Sequence, residues 1–437
     1  MSNSSPTVSD GNPRLRPVQA AEILEDGVRL LLLADLGRPE GPMAVLSRAA
    51  LALAALMDGT RDRAELVLEF SRQHGVSLEP ALVSYLVEQL DEALLLDSPR
   101  YRADLAARRE AYRAEPLRPM LLAPEVFPAG AGPAAEFLDR LFLAPGGPGR
   151  LPSGKASGGQ PSPRQGRACK GVIAPHIDYP RGDGLYGQAY LRLAEEAMSA
   201  DLYVLVGTDH RGELDQPLTL TAHDFATPFG RLQTDSELCW ELAASRPWLD
   251  NELAHKDEHS LELQAVLLHH VLLHCGPGAG EERATRARVL PLLCGSLLGV
   301  EPDPGLLRAR RAEVDAFVEE LGSLTASRPY VVIAGADLAH LGPAFGTEPV
   351  SGEDRRLLAT RDSETLALVS SGDAEALLDD ALADGNARQI CSVTAIYLAM
   401  RLLQGCRGEL LGYRQCQVPD EPEPLSVVSI AAAAFHG

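Results

Sequence analysis

Aromatic residues are scarce in this 437-residue chain, at 5%. No stretch reaches the roughly 18–20 consecutive apolar residues that a membrane-spanning helix needs. The nearest approach, the tail LSVVSIAAAAF, reads as a buried strand running into small residues. Cysteine is sparse as well, seven in all with no repeated CxxC. An odd, scattered set suits a reducing cytoplasm better than a disulfide framework. Basic residues are outnumbered 40 to 61, for a formal charge of −21. That excess argues against broad nucleic-acid or anionic-membrane binding, both of which need a basic face. The opening residues, MSNSSPTVSDGNPRLRP, contain no apolar h-region and do not read as a secretory signal. A soluble, cytoplasmic protein is expected, with no nucleic-acid and no membrane partner.

The remainder is globular in character, 45% apolar and 23% charged. At roughly 100–200 residues per domain, two or three domains are expected. Residues 144–167 (APGGPGRLPSGKASGGQPSPRQGR) contain 12 Gly or Pro and no acidic or aromatic residue. With so little to bury, they read as a flexible linker. Residues 14–100, a helical connector over 101–143, and an α/β block over 168–437 surround it.

In the front region DGVRLLLLAD reads as a hairpin or strand pair. Ser47 caps an Ala/Leu-rich helix that Asp58-Gly59 ends, Thr60 starts a second that stops at Gly75, and Pro80 opens a third. Asp26-Gly27, Leu46-Ser47, the turn Met57-Asp58-Gly59-Thr60 and residues 90–97 together resemble the PqqD-like family, small winged-helix domains of α+β type. That resemblance implies a peptide ligand. The residues themselves fit a helical adaptor without a ligand equally well, and a DNA-binding winged helix is a third reading that the acidity disfavours.

Beyond residue 168, short apolar runs alternate with helical stretches. GVIAP (171–175), LYVLVG (202–207), RVLPLL (288–293) and VVIAG (331–335) have the length of buried parallel strands. Helical patterns over 190–198, 236–244, 260–274, 312–321 and 395–403 complete an α/β layer domain. Three of the strands lead into chemistry. GVIAPH ends at His176, VLVGTDH at Asp209-His210, and VVIAGADLAH brings Asp337 and His340. Ligands in open α/β sheets sit beyond the carboxyl ends of strands, and imidazole with an adjacent carboxylate is a common metal-binding pair. The set points to a metal or catalytic site.

Residues 255–259, His255-Lys256-Asp257-Glu258-His259, fit the H-x-x-E-H pattern of inverted zinc proteases. Helix-start signals at Asp257 and Ser260 place His255 ahead of the helix, which removes the one-face geometry a protease needs. Glu258, His259 and Glu262 are candidate groups reaching toward the crevice, although for Glu262 a solvated helix face is the better reading. His269, His270 and His274 read as surface or core polar residues. Cys391, before a helix in QICSVTAIYLAM, is either a thiolate ligand or a small buried residue. Cys239, Cys275, Cys294, Cys406 and Cys416 read as buried apolar residues.

The ordered set GVIAPHIDY, VLVGTDHRG, ATPFGRLQTD, DEHSLELQ, VVIAGADLAH and QICS, over about residues 170–435, resembles the Memo-like family, whose bacterial members are called AmmeMemoRadiSam system protein B. The resemblance implies a class III extradiol dioxygenase-like fold, a mixed or parallel sheet flanked by helices. It also implies metal ligands at His176, His210 and Cys391, with Asp337 beside them and His340 and His259 lining the site. Radical SAM and AMMECR-like partners are implied by the family name alone. The chain departs from the family pattern at Ile177-Asp178, where a bulky residue and a new carboxylate follow the first ligand, at Thr208-Asp209, and at Ser392. Two histidines with a thiolate favour Fe(II), Cu or Zn, with iron leading. The expected protein is a non-haem metal-binding redox protein whose proton-transfer group is His340 or His259. The alternative is a non-enzymatic metal-binding scaffold or Cu/Fe-handling protein.

Overall fold

In the computed structural model, residues 11–152, 168–197, 200–211, 216–297, 303–419, 421 and 423–437 are described. The chain divides into two units between Ala114 and Glu115.

The first unit opens with strands β1 (Val18–Glu25) and β2 (Val28–Asp35), paired antiparallel so that Glu25 faces Val28. Asp26 and Gly27 form the intervening turn with φ of 47° and 79°. Two consecutive positive φ values match the twist of a two-residue hairpin. Strand β3 (Arg38–Leu46) completes a three-stranded sheet with β2 at its centre. Helix α1 (Arg48–Ala54) follows, capped by the Ser47 hydroxyl, which accepts the Ala50 N–H at 3.2 Å. Helix α2 (Arg63–His74) begins at Asp62 rather than at the expected Thr60. Asp62 and Glu65 form a reciprocal capping box, whereas the Thr60 amide and hydroxyl both turn back to Asp58. Gly75 ends α2 in the left-handed region, Pro80 opens α3 (Pro80–Glu92), and α4 (Pro99–Arg113) closes the unit. Leu33, Leu53, Leu66, Phe70, Val83 and Leu90 make its core.

The second unit starts inside the expected connector. Helix α5 (Ala131–Leu143) buries Leu138, Leu141 and Phe142 in the α/β core, which is why it belongs there. Residues 153–167 of the expected linker lie outside the described residues. The preceding residues 144–152 are packed down, with Gly147 against Gly184 and Arg150 paired to Glu195 at 2.6 Å. Then come β4 (Cys169–Ala174), α6 (Tyr179–Glu196), β5 (Leu202–Thr208), β6 (Leu218–Leu220), β7 (Phe225–Thr227), β8 (Gly230–Leu232), α7 (Ser236–Leu242), α8 (Ser260–His274), α9 (Glu281–Arg286), β9 (Arg288–Cys294), α10 (Pro304–Leu324), β10 (Tyr330–Gly335) and β11 (Asp337–Leu341). Helices α11 (Gly352–Ser371), α12 (Ala374–Ala383) and α13 (Val393–Leu402) precede the closing strands β12 (Arg407–Gln417) and β13 (Val427–His436).

The main sheet runs β11-β13-β4-β10-β5-β9-β6, with β12 added to β13. The four apolar runs read from the sequence are its central parallel block, β4-β10-β5-β9, and antiparallel strands flank that block. Both faces are covered. Val172, Tyr203, Leu205 and Ile333 pack beneath α6 and α8 on one side, and Ile173, Val204, Val206 and Val332 beneath α10 and α13 on the other. The tail LSVVSIAAAAF is β13, buried along almost its whole length. No described helix is long and apolar enough to cross a membrane.

Candidate metal centre

Neighbouring parallel strands end at the same edge of a sheet, and β4, β10 and β5 are consecutive neighbours. Their extensions therefore leave from one place: Pro175-His176 from β4, Ala336-Asp337 from β10, and Asp209-His210 from β5. The ligating atoms of His176, His210 and Cys391 all lie within 4.8 Å of one another. Cys391 Sγ is 3.5 Å from His176 Nε2, and the two imidazole centroids are 5.0 Å apart.

Hydrogen bonds behind each ring decide which nitrogen faces the centre. His176 Nδ1 sits 3.1 Å from the Gly335 carbonyl oxygen, which can only accept. His210 Nδ1 lies 3.1 Å from both oxygens of Glu258, so it too carries a proton. Both Nε2 atoms are thereby left as donors to the centre. Glu258 is itself buried, and it also accepts the backbone N–H of His210 (3.0 Å) and of Ser260 (2.8 Å). Asp337 Oδ1 accepts the His176 N–H at 2.8 Å and the Ile177 N–H at 3.3 Å, while Oδ2 stands 3.7 Å from His176 Nε2.

Cys391 is delivered by a constrained loop. Asn386 and Gln389 both adopt positive φ, 57° and 51°. The Asn386 side chain meets both the N–H and the carbonyl of Ile390 at 3.0 Å. Between them, buried Arg388 is held by Asp362 (3.1 Å), Thr365 (2.9 Å) and Asp380 (2.7 Å), and its carbonyl accepts the His340 N–H at 3.0 Å. Left-handed non-glycine residues persist only where surroundings over-determine them, and here they do. Ser392 adds a brace, its hydroxyl 2.9 Å from that of Thr208 and accepting the Asp337 N–H at 3.2 Å.

Burial alone would raise the Cys391 thiol, but the charge and hydrogen bond of His176, with hydrogen bonds from His210 and His340, hold it well below the ordinary range. The same contacts act in reverse on His176. Burial opposes its charge, yet Asp337 and Cys391 outweigh burial and lift it to about 9. His259 differs, because burial wins over Glu258 and lowers it to about 4. Its ring is stacked on His210 at 4.9 Å and stands edge-on to His176 at 5.5 Å. His340 also interacts with the sulfur, its Nδ1 tied to the Leu338 carbonyl at 3.1 Å.

The sequence-derived residues thus separate clearly. His176, His210 and Cys391 converge, and Asp337, Glu258, His259 and His340 surround them. Glu262 does not face solvent as expected. It is buried in an ion pair with Arg118 at 2.6 Å and accepts the N–H groups of Leu121 and Leu122. The carboxylate of Asp178 is no extra ligand, because it caps α6 and pairs with Arg181. His255 lies in a separate 3-10 turn with its Nε2 on the Thr219 carbonyl at 2.9 Å. His269 faces the Thr227 hydroxyl at 2.7 Å, and His270 faces Asp139 at 2.9 Å. Asp139, His270 and Cys275 form another close donor group away from the strand ends. Arg118 and the Arg388 cage carried no motif and were missed.

A family model described as Memo-like protein matches residues 155–434 of this chain. A MEMO1 family protein of Thermus thermophilus is 28% identical over 360 residues, covering 82% of this chain and 94% of that protein. One from Aquifex aeolicus is 24% identical over 392 residues, covering 88% and 90%, more than the second unit alone can supply. A MEMO1 family protein of Pyrococcus abyssi is 29% identical over 187 residues, covering 42% of this chain and 57% of that protein.

Proposed function

Because the chain belongs to the Memo-like protein family, we propose that its second unit is a non-haem metal centre with redox character, related in fold to the class III extradiol dioxygenases. The observation that supports this is the convergence of one ligating atom from each of His176, His210 and Cys391 within 4.8 Å of one another. His176, His210 and Cys391 would hold the ion. A two-nitrogen, one-sulfur set suits Fe(II), Cu(I) or Zn, and iron best fits a redox role. Such an ion supplies electron transfer and open positions for a substrate.

The protein's part is to prepare and guard that place. Glu258 and the Gly335 carbonyl fix the two tautomers, so neither ring must reorganise on binding. The imidazoles around Cys391 lower its thiol toward the thiolate form that a metal ligand takes. His259, against the rings of His176 and His210, and His340, against Cys391, are the groups that would hold or pass a proton for a substrate in the crevice.

The substrate itself we take to be carried on a peptide recruited by the first unit. A groove of about 490 Å³ there is lined by β3 and by Leu82, Tyr85 and Leu86 of α3. Met43, Val45, Leu82 and Tyr85 are largely exposed in it, and among the described residues β3 pairs only with β2, leaving its outer edge able to accept an added strand. A panel of short labelled peptides should bind the full chain, and Met43→Glu with Tyr85→Ala should abolish that binding.

Metal analysis after oxygen-free purification tests the centre. One iron per chain is expected, lost in the His176→Ala/His210→Ala variant. Unchanged metal in that variant sinks the assignment and leaves Asp139, His270 and Cys275 as the alternative holders. A loaded protein that consumes no oxygen with catechols or peptide substrates would instead be a metal-handling scaffold.

A further inference from the structure

The turn that carries Glu258 and His259 is held from behind by a side chain that lies outside the matched family residues. Arg118 is fully buried. Its Nε donates to the His255 carbonyl at 2.7 Å, one terminal nitrogen donates to the Glu258 carbonyl at 2.5 Å, and the other pairs with Glu262 at 2.6 Å. The Arg118 backbone is fixed as well, its N–H on the Asp224 carbonyl and its carbonyl on the Ala226 N–H. A planar guanidinium serves three acceptors in set directions, which a point charge on a flexible stem does not. Those three acceptors belong to the segment from 255 to 262, and the nitrogen that meets Glu262 also donates to the neighbouring Pro119 carbonyl at 3.0 Å. Glu258 is therefore gripped twice: its carbonyl by Arg118, and its carboxylate by His210.

We propose that Arg118 is a positioning residue for the metal centre, a strut supplied by the segment ahead of the family domain. It sets the place of the Glu258 carboxylate and through it the orientation of His210. This rests on the reading of the centre given above, yet one of its consequences is independent of any ion.

The variant Arg118→Met/Glu262→Gln tests the strut. It removes both buried charges together, and the new amide oxygen still accepts the Leu121 and Leu122 N–H groups. Cobalt(II)-loaded protein is challenged with a chelator, and metal-free protein labelled with ¹⁵N-histidine is followed for the His210 Nδ1 proton. The variant should release cobalt at least tenfold faster, with an altered sulfur-to-cobalt absorption band. Its Nδ1 proton should exchange rapidly with water, whereas the wild-type proton is protected. Arg118→Lys should fall between the two, and it decides the matter by the same measures if the double variant does not fold. Val314→Ala, buried on the opposite face of the sheet, lowers stability without touching the strut and should match wild type in both readings. A folded Arg118 variant with wild-type release and wild-type proton exchange overturns the proposal. Wild-type protein that retains no cobalt, but whose His210 proton depends on Arg118 as described, would sink the metal reading and leave the strut standing.

Discussion

Replacing Glu258 with glutamine keeps the shape of the side chain and inverts half of its chemistry. The wild-type carboxylate accepts at both oxygens, Oε1 from the Ser260 N–H at 2.8 Å and Oε2 from the His210 N–H at 3.0 Å. A glutamine has one acceptor oxygen, so its NH₂ must face one of these buried donors. An unmet buried donor costs about 1–3 kcal/mol, and the metal-free variant should lose that much stability. The second consequence concerns His210. Because Nδ1 is 3.1 Å from both oxygens, the glutamine oxygen can still accept its proton, but a neutral amide leaves the ring a less basic ligand than the carboxylate did. Loss of such an outer partner lowers metal affinity by about 10–100-fold, which corresponds to roughly 1.4–2.7 kcal/mol. Competition between Glu258→Gln and a calibrated chelator for cobalt or zinc measures the affinity, and thermal melts of the metal-free protein measure the stability. Histidine ¹⁵N shifts report the tautomer directly. Affinity within twofold of wild type would refute the claim that the Glu258 carboxylate tunes the ligand.

Cys391→Ser should abolish the sulfur-to-cobalt absorption band while the protein stays folded, because the hydroxyl fits where the thiol did; optical titration reads this. Arg388→Ala should cost about 3–5 kcal/mol in urea unfolding, since it strands Asp362 beneath the Cys391 loop without a counter-charge. His255 provides the pH prediction. Burial lowers it to about 4 in the fold, against about 6.5 when unfolded. The unfolded chain therefore binds a proton that the folded one refuses, and stability falls as pH drops from 6.5 toward 4, by about 3 kcal/mol in full. Unfolding free energies at pH 7 and pH 4.5 should show a smaller difference in His255→Gln than in wild type.

Why so much of the second unit could be read in advance follows from the burial of its sheet. Parallel strands covered on both faces become unbroken apolar runs, and the residue after each run marks a carboxyl end. His176, His210 and Asp337 were legible for that reason. Cys391 stayed open on its own residues and was named as a ligand only through the family resemblance, because its position depends on two left-handed residues and an arginine cage whose parts come from α11, α12 and the loop itself. Glu262 was misread although a signal existed. Helix α8, SLELQAVLLHHVLLH, is apolar on every side, and a helix apolar all round is buried all round. Any carboxylate on it needs an internal partner. Nothing local could name Arg118 as that partner, since it stands 144 residues earlier in a proline-flanked stretch.

The identity of the third donor decides what kind of ion the centre can prefer. Two histidines with a carboxylate would make a harder site than two histidines with a sulfur. Among the described residues Asp337 is the carboxylate paired with His176 and so the competitor of Cys391 for the place beside it, and its commitments argue against it. Oδ1 is spent on the N–H groups of His176 and Ile177, and moving it would release both. Its fixed position makes it a counter-charge to the ring, with burial raising its own pKa. Cys391 makes only a long contact to the backbone, 3.9 Å to the Asp337 carbonyl, and its sulfur already faces three imidazoles that lower its pKa. Asp337→Asn should therefore leave the sulfur-to-cobalt band in place while shifting its energy. Disappearance of the band in that variant would mean that the carboxylate, not the thiolate, organises the site.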